Sequence, residues 1–309
     1  MKSEASRRRR RIDGVLLFDK PVGWSSNAAL QKVKWLLRAE KAGHTGTLDP
    51  FASGLLPICL GEATKFSQFL LNADKVYLAE IQLGVRTTTA DPEGEIIETL
   101  PVRVDRLAVE AVLPGFTGDI LQVPPMYSAL KRDGRPLYEY ARRGETVERA
   151  ARPVVVHRID FLTLENDRLT LRVHSGKGLY VRTLAEDIGA ALGCGAYLLA
   201  LRREAVGPFR IENSVDLPTL EVAPEATNEA RLWPADCLLG ELPRLDLDVD
   251  SAWQFSHGQP IWRSGLQMGA VMAVYAPDGA LLGVAEVNDE GKLAPRRLVM
   301  TALTPQETA

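Results

Sequence analysis

Cysteine and histidine are scarce in this chain: three Cys and four His among 309 residues. Cys59, Cys194 and Cys237 stand far apart, are odd in number and form no Cys-x-x-Cys pair, which excludes a disulfide framework and a cysteine-rich metal knot. The histidines are scattered as well, so the sequence argues against a metal site. No apolar run approaches the roughly 18 residues that a membrane span needs. The N-terminus is basic, but no apolar stretch follows it, so it does not read as a secretory signal. A cytoplasmic location is the simplest expectation. What remains is ordinary in amount, with 46% hydrophobic and 25% charged residues, enough for one large domain with its own core and a smaller one beside it.

A surplus of positive charge is also missing, since the net charge is −3. The distribution is uneven, however. Residues 212–250 hold ten acids and two bases, and residues 251–309 hold five acids and four bases; of 40 acids and 37 bases in all, residues 1–211 therefore keep 25 acids and 31 bases. The bases cluster at Arg7–Arg11 and again at Lys131, Arg132, Arg135, Arg142, Arg143, Arg149 and Arg152. Clusters of this kind are the electrostatic footprint of a phosphate-binding surface.

The segment Gly43-His44-Thr45-Gly46-Thr47-Leu48-Asp49-Pro50 places one carboxylate among glycines and threonines, directly before a proline. Proline holds the preceding residue in extended geometry, which keeps Asp49 out of a helix. Gly54 and Gly61 follow closely and permit tight turns or close backbone approach. A single acid on a rigid loop reads either as a nucleophile or electrostatic partner or as an Asx-type turn. No second acid in this window fits a two-carboxylate glycosidase.

Around it, Gly14–Lys20 reads as a buried strand, Ser25 or Ser26 as the cap of a helix through Leu37, and Glu62–Leu71 as a helix. Val76–Gly84 alternates as a strand, and Asp105–Leu113 reads as a helix. Residues 122–153 form a long, charged stretch of the kind used for functional insertions. Strands are expected at 154–164 and 169–174. A helix is expected from Arg182 to Leu192, a second one after the Gly193-Cys194-Gly195 turn to about Arg202, and a strand at 206–211. Short peripheral helices are expected at 217–220 and 228–232. From Pro243 onward, short strands at 270–275 and 281–286 point to a small β-rich domain.

The blocks Gly14-Val15-Leu16-Leu17-Phe18-Asp19-Lys20-Pro21, Ala42 to Pro50, Leu56 to Lys65, Met126-Tyr127-Ser128-Ala129-Leu130-Lys131 and Gly178-Leu179-Tyr180-Val181-Arg182-Thr183 occur in one order. Over essentially its whole length the chain resembles the bacterial TruB family of tRNA pseudouridine-55 synthases. The resemblance implies an α+β fold with a central, mainly antiparallel sheet flanked by helices. The arginine run itself reads as a basic, disordered tail at 1–11, and the resemblance implies a catalytic domain at 12–241 with an RNA-gripping insertion at 122–153 and a PUA-like RNA-binding module at 242–309. The implied reaction isomerises uridine 55 in the T-arm loop of tRNA, without metal or cofactor, in a monomer. Asp49 matches the catalytic aspartate, and Arg182 the arginine that pairs with it. Tyr77 matches the aromatic residue that stacks on the base and can serve in proton transfer. Tyr180 and Leu201 match pocket-lining residues, and His44 a histidine that fills space in the RNA loop. Lys20 matches the floor of the site, and Lys131 belongs to the arm. Thr47, Ser175 and Leu179 depart from the residues usual at their positions without removing a charged or nucleophilic group. The alternatives are an RNA-binding or tRNA-folding protein that keeps this fold, and a synthase of the same family acting on another RNA.

Overall fold

The computed structural model describes residues 8–128 and 130–300. Its main element is a mixed sheet in the order Val215–Asp216, Gly14–Lys20, Ser53–Leu60, Ala196–Val206, Lys75–Leu83, Arg168–Ser175, Arg152–Glu165, Gly118–Gln122. Ala42–His44 and Phe209–Arg210 pair at its margins. The pairings Phe18↔Val215 and Arg202↔Ser53 are parallel, and the rest of the sheet is antiparallel. The expected α+β class, with a mainly antiparallel sheet, holds.

The strands Lys75–Leu83 and Arg168–Ser175 alternate in burial. In Arg168–Ser175 the residues Leu169, Leu171, Val173 and Ser175 are buried, and their neighbours face away. Val181–Ala191 is a helix whose Val181, Leu184, Ala185 and Ile188 pack on that buried face. Ser26–Leu36 is capped by the Ser25 hydroxyl, which accepts from the Ala28 N–H, and it covers the other half of the sheet through Ala29, Leu30 and Val33.

Three expectations are corrected. Residues 196–202 are not a second helix but the start of the Ala196–Val206 strand, which lies between two others near the middle of the sheet. Its Ala, Leu and Arg residues favour helix in isolation. Pairing on both edges overrides that propensity, and its burial follows a period of two with a bulge near Ala200. The stretch expected as a single helix at 62–71 is a 3-10 turn, Gly61–Lys65, followed by the short helix Ser67–Leu71. Within the tail expected to be disordered, Arg10 exchanges backbone hydrogen bonds with Arg38 and Glu40 and ion-pairs with Glu225 and Glu229; residues 1–7 lie outside the described part.

A second, five-stranded sheet runs in the order Arg244–Asp246, Val271–Tyr275, Leu281–Val287, Lys292–Leu298, Ile261–Trp262. The helix Val249–Ser256, which the sequence pattern does not announce, packs on it through Ala252 and Phe255. Ala273, Tyr275 and Val284 share one apolar cluster with Val15, Leu17, Leu55 and Leu238, so the two sheets bury surface against each other.

The Asp49 loop enters Ser53–Leu60 through Gly54, whose φ is +106°. A Cβ there would stand 2.6 Å from the Arg203 nitrogen and closer still to its carbonyl oxygen. Gly54 therefore lets two strands touch where the site is built. Gly54→Ala should cost about 2 kcal/mol or more, because it adds backbone strain to a steric clash. Chemical denaturation of the variant beside Gly23→Ala, whose Cβ would meet open space, separates the clash from the shared cost of positive φ.

Candidate active site

The loop carrying Asp49 is fixed on both sides. Ser26 Oγ accepts a hydrogen bond from the Leu48 N–H at 2.7 Å and donates to the Leu48 carbonyl at 2.9 Å. The Pro50 carbonyl accepts from the Gly23 N–H at 2.8 Å. Ser26, one of two candidate helix caps in the sequence, thus serves the loop, while Ser25 caps the helix. Among the described hydrogen bonds the Asp49 carboxylate makes no Asx turn. It pairs instead with Arg182, Nε to Oδ2 at 3.1 Å.

Arg182 lies in the first turn of Val181–Ala191, where the helix dipole disfavours a cation and no acidic residue compensates. Its side chain is only 6% exposed. Three further acceptors hold it: Asp91 Oδ2 at 3.1 Å, the Tyr127 carbonyl at 2.7 Å and the Thr89 carbonyl at 3.4 Å. Asp91 is itself buried and accepts from the Thr89 hydroxyl and the Glu93 N–H. The preceding Ala90 has φ +58°, a left-handed conformation unusual for alanine, so the turn that aims Asp91 is strained. Asp91 is absent from the candidates that the sequence alone supplies. The signal that could have found it is a second Asp-Pro pair in a threonine-rich turn, Thr88-Thr89-Ala90-Asp91-Pro92.

Above this pair opens a cleft of about 340 Å³, walled by Tyr77, Tyr127, Leu179, Tyr180 and Leu201 and floored by Thr47, Leu48 and Asp49. Asp49 keeps 38% of its side-chain surface open to this space. Gln122 holds Tyr180 by both backbone groups, accepting from its N–H at 2.8 Å and donating to its carbonyl at 3.1 Å. Gln122 is likewise missing from the sequence candidates, since it sits at the end of a strand with no motif around it. The structure therefore brings together Asp49, Arg182, Tyr77, Tyr180 and Leu201.

Lys20 lies beneath them, fully buried, donating to the Pro21 and Trp24 carbonyls at 2.9 and 2.6 Å. Burial lowers its pKa to about 8, against the pull of Asp49. Arg203, also buried, donates to the Leu55 and Gly46 carbonyls and is paired with Tyr77 across the two strands. His44 is on the Ala42–His44 edge strand and is not part of the cleft wall; burial, then the nearby Arg203 charge, lower its pKa. Lys131 is exposed on the Lys131–Arg132/Arg135–Pro136 hairpin of the inserted arm, one residue beyond the cleft-lining Leu130.

Burial raises the Asp49 pKa above the ordinary carboxylate value. Arg182 opposes this, Asp91 adds to it, and Lys20 opposes it. Arg182→Gln should therefore raise the Asp49 pKa further, and Asp91→Asn should lower it toward the ordinary range. A carbon-13 titration of the Asp49 carboxyl reads both signs; a fall on removing Arg182 would contradict this charge arrangement.

The comparisons with known proteins follow the chain in three segments. Residues 34–181 match the N-terminal domain of the TruB family pseudouridylate synthases, residues 182–245 the C-terminal domain of tRNA pseudouridylate synthase B, and residues 243–299 the C-terminal region of pseudouridine synthase II TruB. The tRNA pseudouridine synthase B of Stutzerimonas stutzeri (strain A1501) is 53% identical over 302 residues, covering 96% of this chain and 99% of that one. The enzyme of the same name from Burkholderia mallei (strain NCTC 10247) is 56% identical over 299 residues, covering 95% and 99%. Among solved structures, a chain of a Cbf5-Nop10-Gar1 complex superposes with a TM-score of 0.69 at 27% identity, over 91% of this chain and 82% of that one. A chain of an archaeal box H/ACA Nop10-Cbf5 complex does so with 0.70 at 25%, over 93% and 86%. With both its halves and its site loop inside these matches, the chain belongs to the TruB family of pseudouridine synthases.

Proposed function

We propose that this protein is a tRNA pseudouridine synthase that isomerises uridine 55 of the T-arm loop, with Asp49 as its nucleophile. The observation that carries the reading is the Asp49–Arg182 pair, 3.1 Å apart at the foot of an aromatic-walled cleft. The uracil leaves the loop stack and enters this cleft, as a base must before an enzyme can work on it. Tyr77 supplies a face for the ring and Tyr180 and Leu201 the remaining wall. Arg182 keeps Asp49 ionised and fixes its direction.

The ionised carboxylate attacks either the ribose C1′ or the base C6, and the bond it forms breaks again before the product leaves, which restores Asp49. The bond from C1′ to N1 breaks, the uracil turns, and C1′ bonds to C5. The proton that leaves C5 is matched by one gained at N1. The reaction is an isomerisation and balances without a co-reactant, which agrees with a mechanism that needs no cofactor. In this reading the protein works as a monomer in the cytoplasm, where tRNA is processed.

The inserted arm and the C-terminal sheet supply the RNA-binding surface in this reading. Within the arm the arginines divide by task. Arg149 donates to the Pro124 carbonyl at 3.0 Å and Arg132 to the Glu148 carbonyl at 2.6 Å, so both brace the arm itself. Lys131, Arg135 and Arg142 stand exposed and face phosphates. The boundaries of the catalytic and PUA-like parts fall near residue 242 in this reading, where the second sheet begins.

Asp49→Asn should lower pseudouridine formation in a T-arm stem-loop by on the order of 10⁴-fold or more while RNA affinity is retained. Mapping of pseudouridine by mass spectrometry tests it, and normal turnover would refute the assignment. Neutralising Lys131, Arg135 and Arg142 together should flatten the salt dependence of binding, by roughly 0.7–0.9 in slope for each phosphate that no longer meets a cation. An unchanged slope would remove the arm from the interface.

A further inference from the structure

We propose that Asp74, His157 and His174 form a binding site for a divalent transition-metal ion, on the face of the central sheet opposite the cleft. The two histidines are 17 residues apart in sequence and belong to adjacent strands, Arg152–Glu165 and Arg168–Ser175. Arg158 pairs with His174 and Val156 with Ser175, which leaves His157 as the extra residue of a β-bulge. A bulge turns an otherwise alternating side chain toward a neighbour, and bulges recur beside functional sites. Here it sets the two imidazole rings 4.9 Å apart at 56°. Asp74 stands just before the strand Lys75–Leu83, which pairs with Arg168–Ser175 on its other side.

The donors converge. His157 Nε2 lies 3.1 Å and His174 Nε2 3.7 Å from the same Asp74 oxygen, and all three ligand atoms fall within 4.8 Å of one another. Around a tetrahedral ion with bonds of 2.0–2.1 Å, ligand atoms are spaced about 3.3 Å apart. Small side-chain rotations therefore close the set around an ion. Two imidazoles and a carboxylate suit zinc, cobalt or nickel better than calcium or magnesium. Asp74 is anchored, because its backbone carbonyl accepts from the Gly207 N–H at 2.8 Å. The neighbouring cations are engaged elsewhere: Arg158 with Asp160 at 2.6 Å, Lys177 with Asn72 at 3.0 Å, and Lys75 with the Leu71 and Ala73 carbonyls. The side chains are 39–49% exposed, which gives an ion direct access and leaves its other positions to water.

The cluster has no part in the cleft. Val173 and Tyr77 are paired across the two strands and belong to the core beneath the cleft, so His174, next along the strand, points to the other side. The bound ion laces the bulged strand, its neighbour and the entry to Lys75–Leu83 into one unit.

The test uses the full chain without an affinity tag, freed of metal by a chelator and titrated with Zn²⁺ against a chromophoric competitor. The expected result is one equivalent bound by the unaltered protein. His174→Gln and Asp74→Asn should each weaken it by more than about 100-fold, beyond what loss of a group that merely supports a ligand costs. His257→Gln should leave it unchanged, and circular dichroism and tRNA isomerisation should be unaltered in His174→Gln. Co²⁺ in place of Zn²⁺ should give a visible spectrum that is lost in the same two variants. Absence of saturable binding by the unaltered protein, or equal binding by His174→Gln and Asp74→Asn, would overturn the site.

Discussion

A buried guanidinium sets the terms for this structure. Arg182 is nearly sealed from water, and a charge in that position is tolerated only when each of its donors is met. The acceptors come from three remote segments: the Asp49 loop, the Thr89–Asp91 turn and Tyr127 at the root of the inserted arm. Removing one partner of a buried pair costs about 3–5 kcal/mol, so this one side chain holds the three segments together. Lysine could not replace it, since a compact ammonium lacks the planar fork that reaches two carboxylates at once. The helix that carries Arg182 gains nothing locally from a cation in its first turn. Such a conflict between local preference and global use marks a functional position.

The same arrangement sets the charge balance around the one acid of a largely apolar cleft. Burial raises the Asp49 pKa, and Asp91 pushes in the same direction. Arg182 on one side and Lys20 below oppose them. Lys20 is left with a pKa of about 8, high enough to remain mostly charged at neutral pH. Arg203 adds a second cation to the floor, tied to the Gly46 carbonyl of the Asp49 loop and paired with Tyr77 across the adjacent strand. The net balance leaves the Asp49 pKa above the ordinary carboxylate value, with the cations limiting the rise.

Much of this is legible in the sequence, because it lies in contiguous blocks. Asp49 before a proline and the alternation of Val76–Gly84 can be read from neighbours along the chain, and Arg182 from the resemblance of its Gly178–Thr183 block to the TruB family. What stays hidden depends on long-range pairing. Asp91 matters only because the turn holding it folds over Arg182, 91 residues away. The Ala196–Val206 strand has helix-favouring residues, and only the strands on its two sides make it a strand. Scattered histidines argue against a metal site, yet a bulge between Val156 and Arg158 sets two of the four beside one carboxylate. Spacing along the chain carries no record of a bulge that tertiary pairing creates.

Charge partition follows the same logic. A net charge of −3 is unpromising for a protein that reads as binding a polyanion. The acidic stretch after residue 211 does not face the arm, however. Glu221, Glu225 and Glu229 pair with Lys32, Arg38 and Arg10 around the first helix. These acids neutralise bases at the far edge of the main sheet and lock the N-terminal segment onto it. The basic residues of the arm lack such partners in comparable number, since Lys131, Arg135 and Arg142 form none of the described salt bridges. Exposed cations outside the described salt bridges therefore stand on the arm, next to the cleft-lining Leu130. Over a Debye length of about 8 Å at physiological salt, this local field and not the net charge is what an approaching phosphate backbone meets.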